Sequence, residues 1–327
     1  MRFVLRRLGF FLVTLWAALT LNFLLPRLMP GNPALAIMGQ YKGHVGGQAL
    51  HALEIAFGVN THQSLISAYF QYVRDVFTGN FGDSIVFQMR SVSYEVLQAL
   101  PWTLGLVGVT TVLAFVVGTF IGLVSGWRRG SRLDSVLPPV FVVTSAFPYF
   151  WVGLVAIWLF ADKLGWLPPT GSYSQSDQIG LDWHFIGDML EHSILPACTL
   201  LVTAIGGWIL TMRNTVITVL AEDYVRMARA KGLPSWAVMW NYAGRNAILP
   251  NLTGFAMSLG FVVSGAILVE YVFNYQGVGW MLLDAVSSED YALMQALFLL
   301  ITVAVLLAIL ASDVVTAIFD PRTRELR

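Results

Sequence analysis

Six stretches of this chain are long, apolar and free of charge, and no other feature constrains its fold as strongly. They run from Leu8 to Pro26, Trp102 to Gly126, Ser135 to Ala161, Ser193 to Met212, Asn246 to Val269 and Tyr291 to Ser312. A helix of ~20 apolar residues crosses the ~30 Å of hydrocarbon in a bilayer. In lipid each backbone amide must find its partner within the protein, and a helix achieves this inside a single segment. Charged residues make up 12% of the chain, against about 25% in soluble domains, so its surface cannot be kept in water. The chain reads as an all-α integral membrane protein with six transmembrane helices.

Arg2, Arg6 and Arg7 precede the first run, a pattern that also suits a cleavable leader. Such a leader has an apolar core of ~7–15 residues and ends in small residues. This run is longer and ends at Pro26-Arg27, so we read it as a retained span. Orientation follows from the lysines and arginines between the runs, which favour the cytoplasmic side. With the N-terminus inside, 14 of the 19 fall in cytoplasmic segments, and only Arg27, Lys42, Arg74, Arg90 and Lys163 fall outside. Both termini are then cytoplasmic. Net charge is zero, so it is the distribution of charge that speaks of partners, and nothing points to nucleic acid.

Residues 27–100 are too polar to span and read as an external segment. Within it Leu65, Ile66, Tyr69, Phe70, Val73, Val76 and Phe77 recur at helical spacing, with Gly79 placed to end the helix. This predicts an amphipathic helix on the outer face. In the second run Gly118, Gly122 and Gly126 lie four apart, a stripe that lets helix backbones approach closely. We read it as packing rather than pore lining. Pro138, Pro139 and Pro148 interrupt the third run, and Phe147, Tyr149, Phe150 and Trp151 cluster around the last of them. Those aromatics either line a pathway or face lipid and core. Glu270 ends the fifth run; a carboxylate there either touches the pathway or sits cheaply at the interface. Tyr149, Trp151 and Glu270 are the pathway candidates.

Several chemistries are excluded. Cys198 is the single cysteine, and the five histidines lack any metal-ligand spacing, so no metal site is expected. None of Lys42, Lys163 and Lys231 sits in a phosphate-binding G-x-x-x-x-G-K-[ST] loop. The runs hold no Asp, Glu, Lys, Arg or His between their ends, whereas ion-coupled carriers need such an ionisable group or an unwound ion site in mid-membrane. An ion-coupled secondary transporter working without an ATPase is the alternative reading. A membrane-embedded enzyme is a third, and it lacks an acidic or histidine cluster from which to build a site.

Energy must then come from outside the chain, and one stretch is suited to receive it. Ala221–Pro250 is a polar, basic island between two apolar runs. Good helix formers fill Leu220–Ala230, Gly232 breaks them, and Pro234 is placed to open a second helix. Basic residues beside a membrane need only orient the chain, but a helix–glycine–helix pattern exceeds that need.

Glu222-Asp223-Tyr224-Val225-Arg226-Met227-Ala228-Arg229-Ala230-Lys231-Gly232-Leu233, with Leu249-Pro250 beyond, resembles the cytoplasmic signature loop of ABC importer permeases. Arg226 and Met227 stand where the general signature has Glu and Ala, and Leu249-Pro250 lies further from the glycine, as in the dipeptide/oligopeptide/nickel branch. Met29-Pro30-Gly31-Asn32-Pro33, Gly79-Asn80-Phe81-Gly82-Asp83-Ser84, Leu100-Pro101-Trp102-Thr103-Leu104, Gly277-Val278-Gly279 and Asp320-Pro321-Arg322 are similar to further motifs of that branch, in order along the chain. The resemblance implies a type I importer permease fold. Its permease core would cover 94–313, with a coupling loop at 213–247 and a cytoplasmic tail at 314–327, after an N-terminal end and first span at 1–26. It implies coupling to the ATPase through Tyr224, Ala228, Ala230, Lys231, Gly232, Leu233, Leu249 and Pro250. The implied partners are a second, non-identical permease subunit, two ATPase subunits that bind ATP and Mg, and an extracytoplasmic binding protein in a bacterial inner membrane. No cofactor is expected in this chain, and no catalysis. The branch carries peptides, oligosaccharides or nickel; of these nickel is least suited to spans without His.

Overall fold

The computed structural model describes residues 2–28, 64–174, 176, 179–180, 182–264 and 266–319. Met29–Pro33, His44, His51, His62 and Asp320–Arg322 lie outside them. The described chain is almost wholly helical: α1 (Arg2–Leu28), α2 (Leu65–Thr78), α3 (Val92–Thr103), α4 (Val109–Trp127), α5 (Arg132–Ala146), α6 (Tyr149–Ala156), α7 (Trp183–Val219), α8 (Asp223–Ala230), α9 (Leu249–Val262), α10 (Ile267–Val272), α11 (Val278–Ser287) and α12 (Tyr291–Phe319). A two-residue antiparallel ribbon pairs Asp83 with Ser91 and Ser84 with Arg90. Three helices among the described residues are long and apolar enough to cross a membrane: Val92–Trp127, Trp183–Val219 and Tyr291–Asp313. Arg132–Thr144 and Tyr149–Lys163 make a fourth if the pair, bent by 92°, is one span.

Two apolar runs depart from single straight helices, and another is short. The first is one helix, but its apolar part, Gly9–Leu25, is shorter than the other spans. The third passes through Pro138 and Pro139 without ending and breaks only at Phe147-Pro148. Phe147 is extended there (φ −85°, ψ 135°), the conformation a following proline imposes by its clash with the preceding residue. The fifth is two helices, α9 and α10, in a stretch weakened by glycines and serine.

The chain divides into two compact units. One comprises Met1–Thr103, Val263–Ile267 and Gln276–Leu307. Its core gathers Val92, Val96 and Ala99 of α3, Met281, Leu282 and Ala285 of α11, and Leu293 and Leu297 of α12. Asp290 immediately precedes α12 and is fully buried. Its carboxylate accepts from Ser84 Oγ at 2.5 Å, from the amides of Ile85 (2.7 Å) and Val86 (3.1 Å), and from the Leu293 amide at 3.1 Å. A buried charge is tolerated when its lone pairs are filled in this way. The Gly79–Ser84 motif thus has a structural use: Gly79 and Gly82 adopt positive φ, 70° and 77°, and turn Ser84 onto Asp290. The expected amphipathic helix is α2, capped by the Ser64 hydroxyl and ended by Gly79.

The other unit comprises Leu104–Val262, Leu268–Tyr275 and Ala308–Arg327. Its centre is the contact of α4 with α7. A Cβ added at Gly118 would meet Trp208 Cβ at 2.7 Å, one at Gly122 the Ile209 carbonyl oxygen at 2.5 Å, and one at Gly126 the Arg213 carbonyl oxygen at 2.8 Å. The glycine stripe is a packing surface, as the spacing implies. Phe115 stacks on Phe255 and meets Trp208 edge-on, which binds α9 to the same pair. Buried Asn251 of α9 donates to Thr119 Oγ1 of α4 (2.9 Å) and to the Trp208 carbonyl of α7 (3.2 Å). The helix α7 starts at Trp183, ten residues ahead of the fourth apolar run, because Asp182 caps it by accepting from the Phe185 amide at 2.9 Å.

Candidate functional site

The island is helix, turn, helix. After α7 stops at Val219, Leu220–Glu222 turn the chain, and α8 runs over Asp223–Ala230. Asp223 in its first turn and Arg229 in its last complement the helix dipole. Asp223 and Arg226 also approach at 3.5 Å, an exposed pair of little energetic weight. Gly232 has φ +72°. Its amide donates to the Arg229 carbonyl at 2.9 Å, and the Leu233 amide reaches back to the Ala228 carbonyl at 3.4 Å. These two bonds form the glycine-terminated stop that satisfies a helix's last carbonyls. Pro234 then leads into the short helical turns Ser235–Ala237, Val238–Gly244 and Arg245–Ala247, and α9 follows.

One face of α8 is turned inward. Val225 and Ala228 are buried against Val238, with Trp127, Val219, Leu220 and Tyr242 around them. Ala228 therefore packs within its own chain. The Arg229 guanidinium lies 5.0 Å from the Trp127 ring centroid, close enough for a cation–π contact. The other face is open: Tyr224, Met227, Ala230, Lys231, Gly232, Leu233 and Trp236 are exposed. A Cβ at Gly232 would meet nothing within 4 Å, so its backbone conformation and not crowding calls for glycine. Partial burial, helped by the Glu222 carboxylate, pushes the Tyr224 hydroxyl above its ordinary range, so it is a neutral donor and acceptor at physiological pH. Leu249 is half-buried and Pro250 exposed in the first turn of α9, which tolerates a missing amide.

Sequence reasoning did not find the contact that anchors the helix leading into the island. Arg213 Nε of α7 donates to Asp134 Oδ1 of α5 at 2.5 Å. The Gly130 amide (2.9 Å) and Ser125 hydroxyl (3.3 Å) donate to the same carboxylate. Asp134 lies one residue outside the third apolar run, where the Arg213 bond holds its carboxyl below the usual carboxylate range against the opposing effect of burial. The residues sit 79 positions apart, so the only local signal is an acidic residue in an arginine-rich loop.

The pathway candidates have different surroundings. Tyr149 and Trp151 are exposed at the start of α6, and the Trp151 ring lies parallel to Phe147 with centroids 6.5 Å apart. Glu270 is fully buried within α10. Among the described residues no three of His, Cys, Asp and Glu gather into a metal-binding group.

Residues 118–325 match the family described as binding-protein-dependent transport system inner membrane component. The chain belongs to that family, the permeases of ABC importers. It is 33% identical to the di/tripeptide transport system permease protein DppB of Pseudomonas aeruginosa, over 99% of both chains. It is 30% identical to the oligopeptide transport system permease protein AppB of Bacillus subtilis, over 98% of both. It is 32% identical to the glutathione transport system permease protein GsiC of Salmonella choleraesuis, over 99% of both. The family description names a binding-protein-dependent system and an inner membrane component, and a permease of such an ABC importer works with an ATPase and a substrate-binding protein. This favours the importer reading over the ion-coupled carrier.

Proposed function

We propose that this chain is one half of a permease pair that imports short peptides, and that the open face of α8 is where the ATPase docks. The peptide assignment rests on the names of the relatives, which describe di- and tripeptide, oligopeptide and glutathione transport. The single observation that carries the coupling assignment is the two-sided build of α8. Its buried face, Val225 and Ala228, ties it to its own chain, and its exposed face carries Tyr224, Met227, Lys231 and Leu233 around a glycine stop. A rigid helix held on one side and open on the other can transmit a push into α7 and α9. ATP-driven closure of the ATPase pair would move these helices between two states, each favoured by its own contacts.

In this reading Ala230, Lys231, Gly232 and Leu233 touch the ATPase, whereas Ala228, Leu249 and Pro250 hold the loop in shape. The membrane core has six spans with both termini cytoplasmic, paired with a second, non-identical permease. ATP and Mg are bound by the ATPase subunits and none by this chain, which is not catalytic. Tyr149, Trp151 and Glu270 are the residues proposed to line the pathway. The test is uptake of a labelled dipeptide by the reconstituted importer. Gly232→Val is expected to abolish uptake with the permease still inserted at normal abundance, because a branched side chain does not adopt its positive φ. Normal uptake by that variant would remove the coupling assignment.

A further inference from the structure

The helix α2 has three flanks, and only two have an evident use. Its inner flank meets α1. Tyr69 OH and Thr20 Oγ1 are 2.9 Å apart, Asn22 Nδ2 donates to Tyr72 OH at 3.0 Å, and the rings of Tyr69 and Tyr72 pack on Phe23 at 5.2 and 5.7 Å. The polar flank, with Ser67, Gln71, Arg74 and Thr78, is exposed. Between them runs a stripe of Ile66, Phe70 and Phe77, 72%, 66% and 79% exposed, three large apolar side chains along one edge of the helix.

We infer that this stripe is inserted in the outer leaflet, so that α2 lies as an in-plane helix at the boundary between headgroups and acyl chains. Depth is the first argument. The contacts with α1 fall on Thr20–Phe23, in the last turns of its apolar part, Gly9–Leu25. This is where hydrocarbon gives way to headgroups if α1 spans. The surface of α1 is the second. Toward the same end Leu21, Leu25 and Leu28 are exposed while Asn22 and Phe23 are buried, so the span still presents an apolar surface at the level of the stripe. The third is composition of the boundary: Tyr69 and Tyr72 present hydroxyls at that level, and Arg27 folds back over the Phe23 ring at 3.6 Å and donates to its carbonyl at 2.8 Å. Tyrosines and arginines with apolar bodies and polar tips belong at such an interface. A helix with one apolar edge and one polar edge lies in the plane of a membrane for the same reason.

The inference rests on the reading of α1 as a span with its C-terminal end outside. The test uses the full-length permease in its assembled importer, with Cys198→Ser, reconstituted in vesicles of phosphatidylethanolamine and phosphatidylglycerol. Nitroxide labels are placed at Ile66→Cys, Phe70→Cys and Phe77→Cys, at Gln71→Cys and Arg74→Cys on the polar edge, and at Val13→Cys in α1. Collisions with oxygen, which partitions into lipid, are compared with collisions with a water-soluble nickel chelate. The three stripe positions are expected to favour oxygen several-fold, and the polar edge to favour the chelate. Stripe labels open to the chelate, with Val13 in lipid, would overturn this proposal alone. Stripe labels shielded from both reagents would overturn it in favour of a protein cover. Val13 open to the chelate would overturn the span and the proposal together.

Discussion

Replacing Gly122 by alanine tests whether the α4–α7 contact is held by glycine geometry. The added Cβ would stand 2.5 Å from the Ile209 carbonyl oxygen and 2.8 Å from Met212 Cβ, whereas real Cβ contacts essentially never fall below 3.0 Å. Two of these neighbouring groups are backbone or rooted on it, so no rotamer change relieves the clash, and the helices must part by at least half an ångström. A gap of 0.5–1 Å forfeits about a quarter to a half of each dispersion contact along the seam. Overpacking of this kind costs roughly 1–3 kcal/mol. Alanine also favours helix over glycine by ~1 kcal/mol, which would mask part of the loss. Gly207→Ala on α7 is the matched control, because its Cβ would meet nothing within 4 Å. The propensity gain is common to both variants, so their difference isolates the contact. At no more than about 2–4 °C per kcal/mol, the shift for somewhat shorter chains, Gly122→Ala should melt a few degrees below Gly207→Ala in a thermal-shift assay on purified permease. Gly122→Val should melt lower still. Equal midpoints for the two alanine variants would refute the claim that this seam is set by glycine.

Other outcomes follow from the same contacts. Ala228→Leu overfills the pocket formed with Val225 and Val238 and should lower stability by about 1–3 kcal/mol, whereas Ala230→Leu on the open face should leave the melting midpoint unchanged and lower only ATPase-coupled uptake. Asp290→Ala strands the buried Ser84 hydroxyl and the half-buried Ile85 and Val86 amides; at ~1–3 kcal/mol for the buried donor and about 1 kcal/mol for each half-buried one the loss should be roughly 3–5 kcal/mol, with faster hydrogen exchange at 85 and 86. The Asp134 carboxyl is held below its ordinary value of 3.8, so its contribution is present above that pH and lost as pH falls through the lower folded value. The gap in melting temperature between the natural chain and Asp134→Asn should therefore be constant from pH 5 to 8 and close in acid; a gap that widens toward acid would contradict the Arg213 pairing.

Much of the site was legible because its signals are local. A helix stop needs only a glycine at the right place, and Gly79 and Gly232 both take positive φ where the pattern puts them. A stripe at four-residue spacing shows one helix face, so Gly118, Gly122 and Gly126 could be read as packing without a partner in view. The partner itself could not be read, since α7 lies some 90 residues further along. For the same reason neither the Asp134–Arg213 pair nor the Asp290 cradle was visible: each joins groups whose sequence neighbourhoods carry no trace of the other.

The apolar runs, the sparse charge and the ordered motifs decide by themselves that this chain is a helical membrane permease, because lipid permits few alternatives and charge must stay out of it. Tertiary structure decides what each residue does there. The steric rule that unfolds the residue before a proline applies at Leu137 as much as at Phe147, yet α5 runs through the first and the chain turns at the second. Two alanines two positions apart in the island look alike in sequence, but Ala228 is buried and Ala230 exposed. Local sterics and periodicity set preferences of about a kcal/mol, and the packing of distant helices outweighs them.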